Sequence, residues 1–487
     1  FCGLFLYRVV VKQTFEHYIA EKNDVKLIRT LIYGTDANAI SVANALKLES
    51  PSRFKIVGFV DRKNQNSTKR MLDLPILVQK KKLPTLMRSV GAQGIIIADK
   101  GLSKEEQLVI VDQCLEFNYK VYIVPGIRDW ENQKEISKKV KNLQIEDLLE
   151  RKAIVLDSKA ISKQLKDKTI LITGGAGSIG SEIVRQVLGF NPKKIIILDQ
   201  AETPLHHLSL EIERIVSDSE IHSVVADVRN KVALRHVFES YRPQVVFHAA
   251  AYKHVPLVEY NVIEGVRNNI FGTWHTAEAA VNAGVETFVL ISTDKAVRPT
   301  NVMGTTKRFA ELVLQSIAKR QQQTRFCMVR FGNVLGSSGS VVPLFRKQIK
   351  QGGPITLTHE DITRYFMTIP EAAQLVIQAG AMGVGGDVFV LDMGEPVRIY
   401  DLALKMINLT GLRPKNKLSP DGDIEIKVTG LRPGEKLYEE LLISGNEVPT
   451  RHPRIRSANE VFLEWPEMHS LLLKLSSCCE KYDVEGI

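Results

Sequence analysis

The sequence predicts an α/β protein of two doubly wound parallel-sheet domains, the second extended by a smaller C-terminal lobe. Strand-length apolar runs alternate with helix-length segments along most of the chain. A second, stronger series of such runs starts near Lys168 and carries a glycine-rich turn after its first strand. At 487 residues the chain exceeds one core and fits two or three domains of roughly 100–200 residues.

The first domain is read over 25–130. Leu27 to Tyr33 is an apolar strand, Gly34 to Ala39 a turn, and Ile40 to Leu48 has helical spacing. Further strands are predicted at Lys55 to Val60, Gly94 to Ala98 and Lys120 to Val124. Only Gly34 stands where a dinucleotide loop wants three glycines, which favours a structural or regulatory role. Residues 131–167, polar and rich in lysine, are read as a linker. The second domain, 168–487, is predicted to place strands at Thr169 to Thr173, Lys194 to Asp199, His222 to Ala226, Val245 to Ala249, Thr287 to Ser292 and Phe326 to Phe331. Beyond Asn333, frequent Gly and Pro and short strands at Val388 to Leu391 and Ile424 to Val428 suggest a substrate lobe.

A hydrophobic content of 44% and charged content of 25% are those of a soluble globular protein. The net charge of +10 is spread as scattered lysines without an aromatic-interleaved basic stripe, so nucleic acid is not an expected partner. Five cysteines form no CxxC pair and no metal-ligand spacing with histidine, so neither a metal site nor a disulfide framework is expected. The apolar run Phe1 to Val11 is far shorter than the ~20 residues that span a bilayer. Residues 1–24 are read as the end of a membrane segment in preference to a leading soluble helix.

The chemistry concentrates in the second domain. Gly174, Gly177, Ser178, Ile179 and Gly180 follow an apolar strand and open a helix, where backbone amides and the helix dipole suit a pyrophosphate. Asp199 closes the next strand about 20 residues on, placed to accept from ribose hydroxyls and repel a 2′-phosphate, which favours NAD and leaves NADP open. Asp227 and Val228 are expected at the adenine, and Ala249 and Ala250 where a cofactor lies close. Thr293-Asp294-Lys295 ends the fifth strand, at the ligand edge of such a sheet, where a carboxyl beside an amine suits acid–base work. Met303 and Lys307 open the following helix.

These motifs, with His248 to Pro256 and Leu431-Arg-Pro-Gly-Glu-Lys436, resemble those of the extended short-chain dehydrogenase/reductases. Within that group they are similar to the long, membrane-anchored UDP-N-acetylglucosamine 4,6-dehydratases of bacterial glycan pathways. Most of the superfamily has a tyrosine where Met303 stands, and a thioether cannot take up that tyrosine's proton. The long dehydratases carry methionine there, so the departure implies the narrower group. The resemblance implies oxidation at sugar C4 by NAD, loss of water across C5 and C6, and hydride return to C6. It makes Lys295 the base at C5, Asp294 the acid at the C6 hydroxyl, Thr293 the group orienting the C4 hydroxyl, and Lys307 the holder of the nicotinamide ribose. Lys295 must be neutral to act, and burial beside the nicotinamide is expected to depress its pKa. UDP-sugar contacts are implied at Lys253, His254, Asn333, Arg364, Arg432 and Glu435, and the family further implies a homo-oligomer at the cytoplasmic face of the inner membrane. The rivals are an NDP-sugar 4-epimerase and a non-catalytic nucleotide sensor.

Overall fold

The computed structural model describes residues 27–49, 52–62, 70–78, 83–117, 119–124, 141–142, 154–215, 217–416, 419–441, 447–458 and 460–487. The expectations for 1–24 and for most of the linker lie outside these residues. The chain forms two compact units, Phe1–Leu148 with Leu404–Ile424, and Leu149–Ala403 with Glu425–Ile487. Leu404–Ile424 was expected inside the catalytic domain, and its contacts instead group it with the first unit. Among the described residues no helix is long and apolar enough to cross a membrane.

The first unit is a seven-stranded sheet of β1 (Ile28–Tyr33), β2 (Phe54–Asp61), β3 (Arg70–Met71), β4 (Leu74–Val78), β5 (Gly94–Ile97), β6 (Lys120–Ile123) and β7 (Lys141–Asn142), in the order β3-β4-β2-β1-β5-β6-β7. The five strands from β4 to β6 are parallel, and β3 and β7 close the edges antiparallel. Isoleucine and leucine runs place both faces of the central strands in core, with Leu31, Ile32, Ile95 and Ile96 fully buried. The first helix starts earlier than its apolar spacing predicts, at Ala37–Lys47. Asp36 is the reason: its side chain accepts from Ala39 N at 2.9 Å and satisfies a donor of the first turn.

The second unit carries a nine-stranded sheet: β8 (Thr169–Thr173), β9 (Lys194–Asp199), β10 (Glu220–Val225), β11 (Val245–His248), β12 (Thr287–Ile291), β13 (Arg325–Arg330), β14 (Asp387–Leu391), β15 (Glu447–Pro449) and β16 (Ile455–Ala458). The order is β10-β9-β8-β11-β12-β13-β14-β16-β15, parallel through β14 and antiparallel beyond it. The strand order reverses between β8 and β11, and ligands of such sheets bind outside the carboxyl ends at that switch. The end of the expected linker is part of this unit: helix Ser158–Leu165 buries Ile161 and Leu165 completely in the core under β8. Asp157 N donating to Gln378 Oε1 at 2.7 Å ties it to helix Ile369–Met382. The smaller lobe contains a parallel pair, Ile355–Leu357 with Ile424–Val428, matching the expected strand there.

Candidate active site

The glycine loop is built for close approach. Gly174 has φ +64°, and a Cβ on it would stand 2.5 Å from Ala250 N, so the loop packs directly on the end of β11. A Cβ on Gly180 would lie 2.2 Å from Gly174 O, which makes glycine obligatory where helix Ser178–Leu188 starts. A Cβ on Gly177 would meet only Gly174 O, at 3.2 Å, so its outer side is open, and a pyrophosphate fits there at the N-terminus of the helix. Asp199 is held at the lip of this loop, accepting from Ala176 N at 3.0 Å and Ala201 N at 2.9 Å. Gly174, Asp199, Val228, Ala249 and Ala250 line one recess of about 140 Å³. Asp227 was expected there with Val228, but its carboxylate is turned to Arg229 Nε at 2.8 Å and borders a different recess. Burial works to raise the Asp227 pKa, and the Arg229 bonds outweigh it and hold it low.

A larger cavity of about 780 Å³ runs on from the same glycines across the carboxyl ends of β11, β12 and β13. Thr293, Lys295, Met303, Lys307, Asn333, Lys253 and His254 all border it, although they come from segments far apart in sequence. Ser337 to Val341 roof it, with Ser338 N donating to Ser178 Oγ at 3.2 Å. At Gly339 (φ +71°) a Cβ would stand 2.4 Å from the His254 ring, so glycine lets the roof close on that histidine.

Beneath the cavity, Asp294 is 1% exposed. Its Oδ1 accepts from Thr293 Oγ1 at 2.9 Å and Lys295 Nζ at 3.1 Å, while Oδ2 is buried without a partner. Lys295 Nζ also lies 3.3 Å from Glu439 Oε1 and 3.5 Å from Asn333 Oδ1. Burial works to lower the Lys295 pKa, but Asp294 and then Glu439 outweigh it, and the amine is held above its ordinary range. The expected depression of Lys295 is therefore corrected for the protein without cofactor: two carboxylates face one ammonium. Lys307, 5% exposed, donates to Ile291 O at 2.8 Å, and burial pushes its pKa down to about 8. Met303, 3% exposed, is a wall of the cavity.

Three implied sugar contacts sit elsewhere. Arg364 is 8% exposed and donates to Thr363 O, with Glu435 3.4 Å away. Glu435 accepts from Thr358 Oγ1 at 3.2 Å and from Arg432 N at 3.2 Å. Arg432 itself is exposed and does not border the cavity. Glu439 escaped the sequence reading, though it stands three residues past the Arg-Pro-Gly-Glu-Lys motif.

Two buried networks hold the strand ends in place. Thr273 Oγ1 donates to Asn269 O, so His248 Nε2 must carry the hydrogen that Thr273 accepts at 3.1 Å, and Nδ1 accepts from Thr173 at 2.7 Å. Complete burial pushes His248 down to about 3 and keeps it neutral, bridging β8 and β11. Arg330, fully buried on β13, makes two bonds to Glu311 at 2.8 and 2.6 Å, and Glu311 accepts from Ser292 Oγ at 2.6 Å, directly before the Thr293-Asp294-Lys295 stretch.

Residues 170–460 match the model of a family described as polysaccharide biosynthesis protein. The chain is 43% identical over 441 residues to the probable polysaccharide biosynthesis protein EpsC of Bacillus subtilis, covering 90% of this chain and 72% of that one. It is 34% identical over 285 residues to a UDP-N-acetylglucosamine 4,6-dehydratase (inverting) of Campylobacter jejuni, covering 57% of this chain and 78% of that one. A UDP-glucose 4-epimerase of Rickettsia akari is 35% identical over 286 residues, covering 57% and 78%. The solved structure of the dTDP-glucose 4,6-dehydratase DesIV from Streptomyces venezuelae covers 63% of this chain and 96% of its own, with TM-score 0.50 and 19% identity, a likeness of fold. The chain belongs to the polysaccharide biosynthesis protein family, on an extended short-chain dehydrogenase/reductase fold.

Proposed function

We propose that the protein is a UDP-N-acetylglucosamine 4,6-dehydratase that uses NAD, with NADP the less favoured cofactor. The observation that carries this reading is that Thr293 and Lys295 border one cavity with Asp294 bonded to both beneath it, and that Met303 stands there where a phenol would serve an epimerase. The Campylobacter relative supports the same substrate.

NAD fits the glycine cradle, with Gly174, Gly177 and Gly180 under its pyrophosphate, Asp199 at its adenosine ribose and Lys307 at its nicotinamide ribose. When bound, it would supply the hydride acceptor for C4 and the hydride donor for C6. The side chains handle the protons. Thr293 orients the C4 hydroxyl, whose proton passes to solvent as the hydride leaves C4, and the ketone so formed makes the C5 hydrogen acidic. Lys295 removes that proton, Asp294 protonates the departing C6 hydroxyl so that water leaves, and Lys295 returns its proton to C5 as C6 takes up the hydride, with Asp294 reprotonated from solvent. Neutral Lys295 with protonated Asp294 differs from the resting ion pair by one proton moved along the 3.1 Å bond, so the site needs no net proton to become competent. Lys253, His254 and Asn333 border the sugar end.

The proposal extends to the whole protein: attachment to the cytoplasmic face of the inner membrane, and assembly as a homo-oligomer. Incubation with UDP-N-acetylglucosamine and NAD, followed by mass spectrometry and NMR, tests the reaction. Loss of one water with a new C6 methyl and a 4-keto group is expected. The Rickettsia relative supports a second reading, 4-epimerisation, which leaves the mass unchanged and inverts C4.

A further inference from the structure

The Leu431–Glu440 segment carries a motif read from sequence as a UDP-sugar contact, yet Gly434, Glu435 and Lys436 spend polar groups within the protein. Thr300 Oγ1 and Asn301 Nδ2 both donate to Gly434 O, at 3.1 and 3.2 Å. Lys436 Nζ donates to Val297 O at 3.0 Å. Gly434 has φ +71°, and a Cβ on it would stand 2.8 Å from Asn301 Cβ, so the segment is pressed onto that turn. The turn 297–301 joins Asp294-Lys295 to the helix Val302–Arg320 that bears Met303 and Lys307. Three residues past Lys436, Glu439 is buried with Oε1 3.3 Å from Lys295 Nζ and Oε2 without any partner.

A buried carboxylate that spends one oxygen on an active-site amine and leaves the other bare carries a desolvation cost that stability does not explain. We propose that Glu439 is a positioning residue for Lys295, and that the Arg432-Pro-Gly-Glu-Lys436 motif is the latch that delivers it. The groups facing Lys295 are Asp294 on its own turn, Glu439 and, behind it, Glu435 from the latch, Arg364 from the lobe, and the uncharged Asn333. Asp294 and Glu439 fix the amine from two sides. Arg364 Nε lies 3.8 Å from Glu439 Oε1.

The kinetic part rests on the dehydratase reading; the electrostatic part does not. Removing the Glu439 charge lowers the pH at which the Asp294–Lys295 pair loses its shared proton. In Glu439→Gln the alkaline limb of the kcat profile for UDP-N-acetylglucosamine is expected to move to lower pH, with kcat down ~10-fold or more. Glu439→Asp is expected to keep the limb near its original place, and the NAD dissociation constant is expected to stay unchanged in both. An alkaline limb that does not move in Glu439→Gln overturns the proposal. A second measurement needs no turnover: NMR titration of ε-13C-lysine-labelled protein, with Lys295→Met to assign the signal. There Lys295 is expected to titrate lower in Glu439→Gln than in the parent, and equal midpoints overturn the proposal. A parent that fails to convert the sugar removes the dehydratase reading and leaves this titration to decide the role of Glu439.

Discussion

At the scale of single residues the site depends on bonds that leave particular atoms bare. Asp294 has both neighbours on Oδ1 and nothing on Oδ2, so Asp294→Asn keeps the shape and removes the acid. A loss of ~10²-fold or more in turnover is expected, with NAD binding retained; calorimetric titration with NAD separates the two effects. Lys295→Met is expected to behave alike. Lys307 offers a pH test with a defined sign. Its amine is held down at about 8, below the unfolded value, so the folded protein disfavours the charged form. Folding stability on its account rises as pH goes from about 8 towards the ordinary lysine range, and denaturant unfolding of Lys307→Met is expected to lack that rise. The sequence disclosed the residue types here and their order at the strand's end. It did not disclose Glu439, which reaches Lys295 from a segment 144 positions away (439 − 295) by burial rather than by any local pattern.

At the scale of elements, strands and glycine turns were legible because each states its own physics. A continuous run such as Ile195 to Leu198 has no polar face and must be buried on both sides, so it reads as an inner parallel strand. Gly180 reads as obligatory only with the turn's geometry known, since its missing Cβ makes room for Gly174 O. Gly180→Ala is expected to abolish NAD binding, measured by the fluorescence or calorimetry of titration. Only the end of the linker departs from its expectation: Ser158–Leu165 is short and polar on one face, and its partners alone reveal that Ile161 and Leu165 belong to the core. The Glu311–Arg330 pair is another feature set by packing. Arg330→Met leaves Glu311 buried with only Arg308 and Ser292, and a loss of about 3–5 kcal/mol in urea unfolding is expected. Burial alone would raise the Glu311 pKa, and Arg330 outweighs it, so its value is depressed. The stability it contributes is present above the unfolded carboxylate range and is lost as pH falls through the depressed value.

At the scale of the whole molecule two sheets of similar topology differ in whether they offer a cradle. Gly34 has φ +124° and its Cβ position is filled by Asp99 at 3.0 Å, whereas a Cβ on Gly177 would meet only Gly174 O, at 3.2 Å. NAD at a hundredfold excess over its dissociation constant is expected to stabilise the protein by ~2.7 kcal/mol. That gain is expected to vanish in Gly180→Ala and to persist in Gly34→Ala; thermal unfolding with and without NAD reads both. What the sequence by itself determined is what local chemistry dictates: apolar runs that must be inner strands, glycines that must turn, and a carboxyl and amine at a strand's ligand edge. The tertiary structure decided the charge state of Lys295, the turning away of Asp227, and the use of the Arg-Pro-Gly-Glu-Lys motif as an internal latch. Each of these depends on which charges and donors from distant segments meet in a place without water, where an interaction of a few ångströms outweighs any intrinsic preference of the residue.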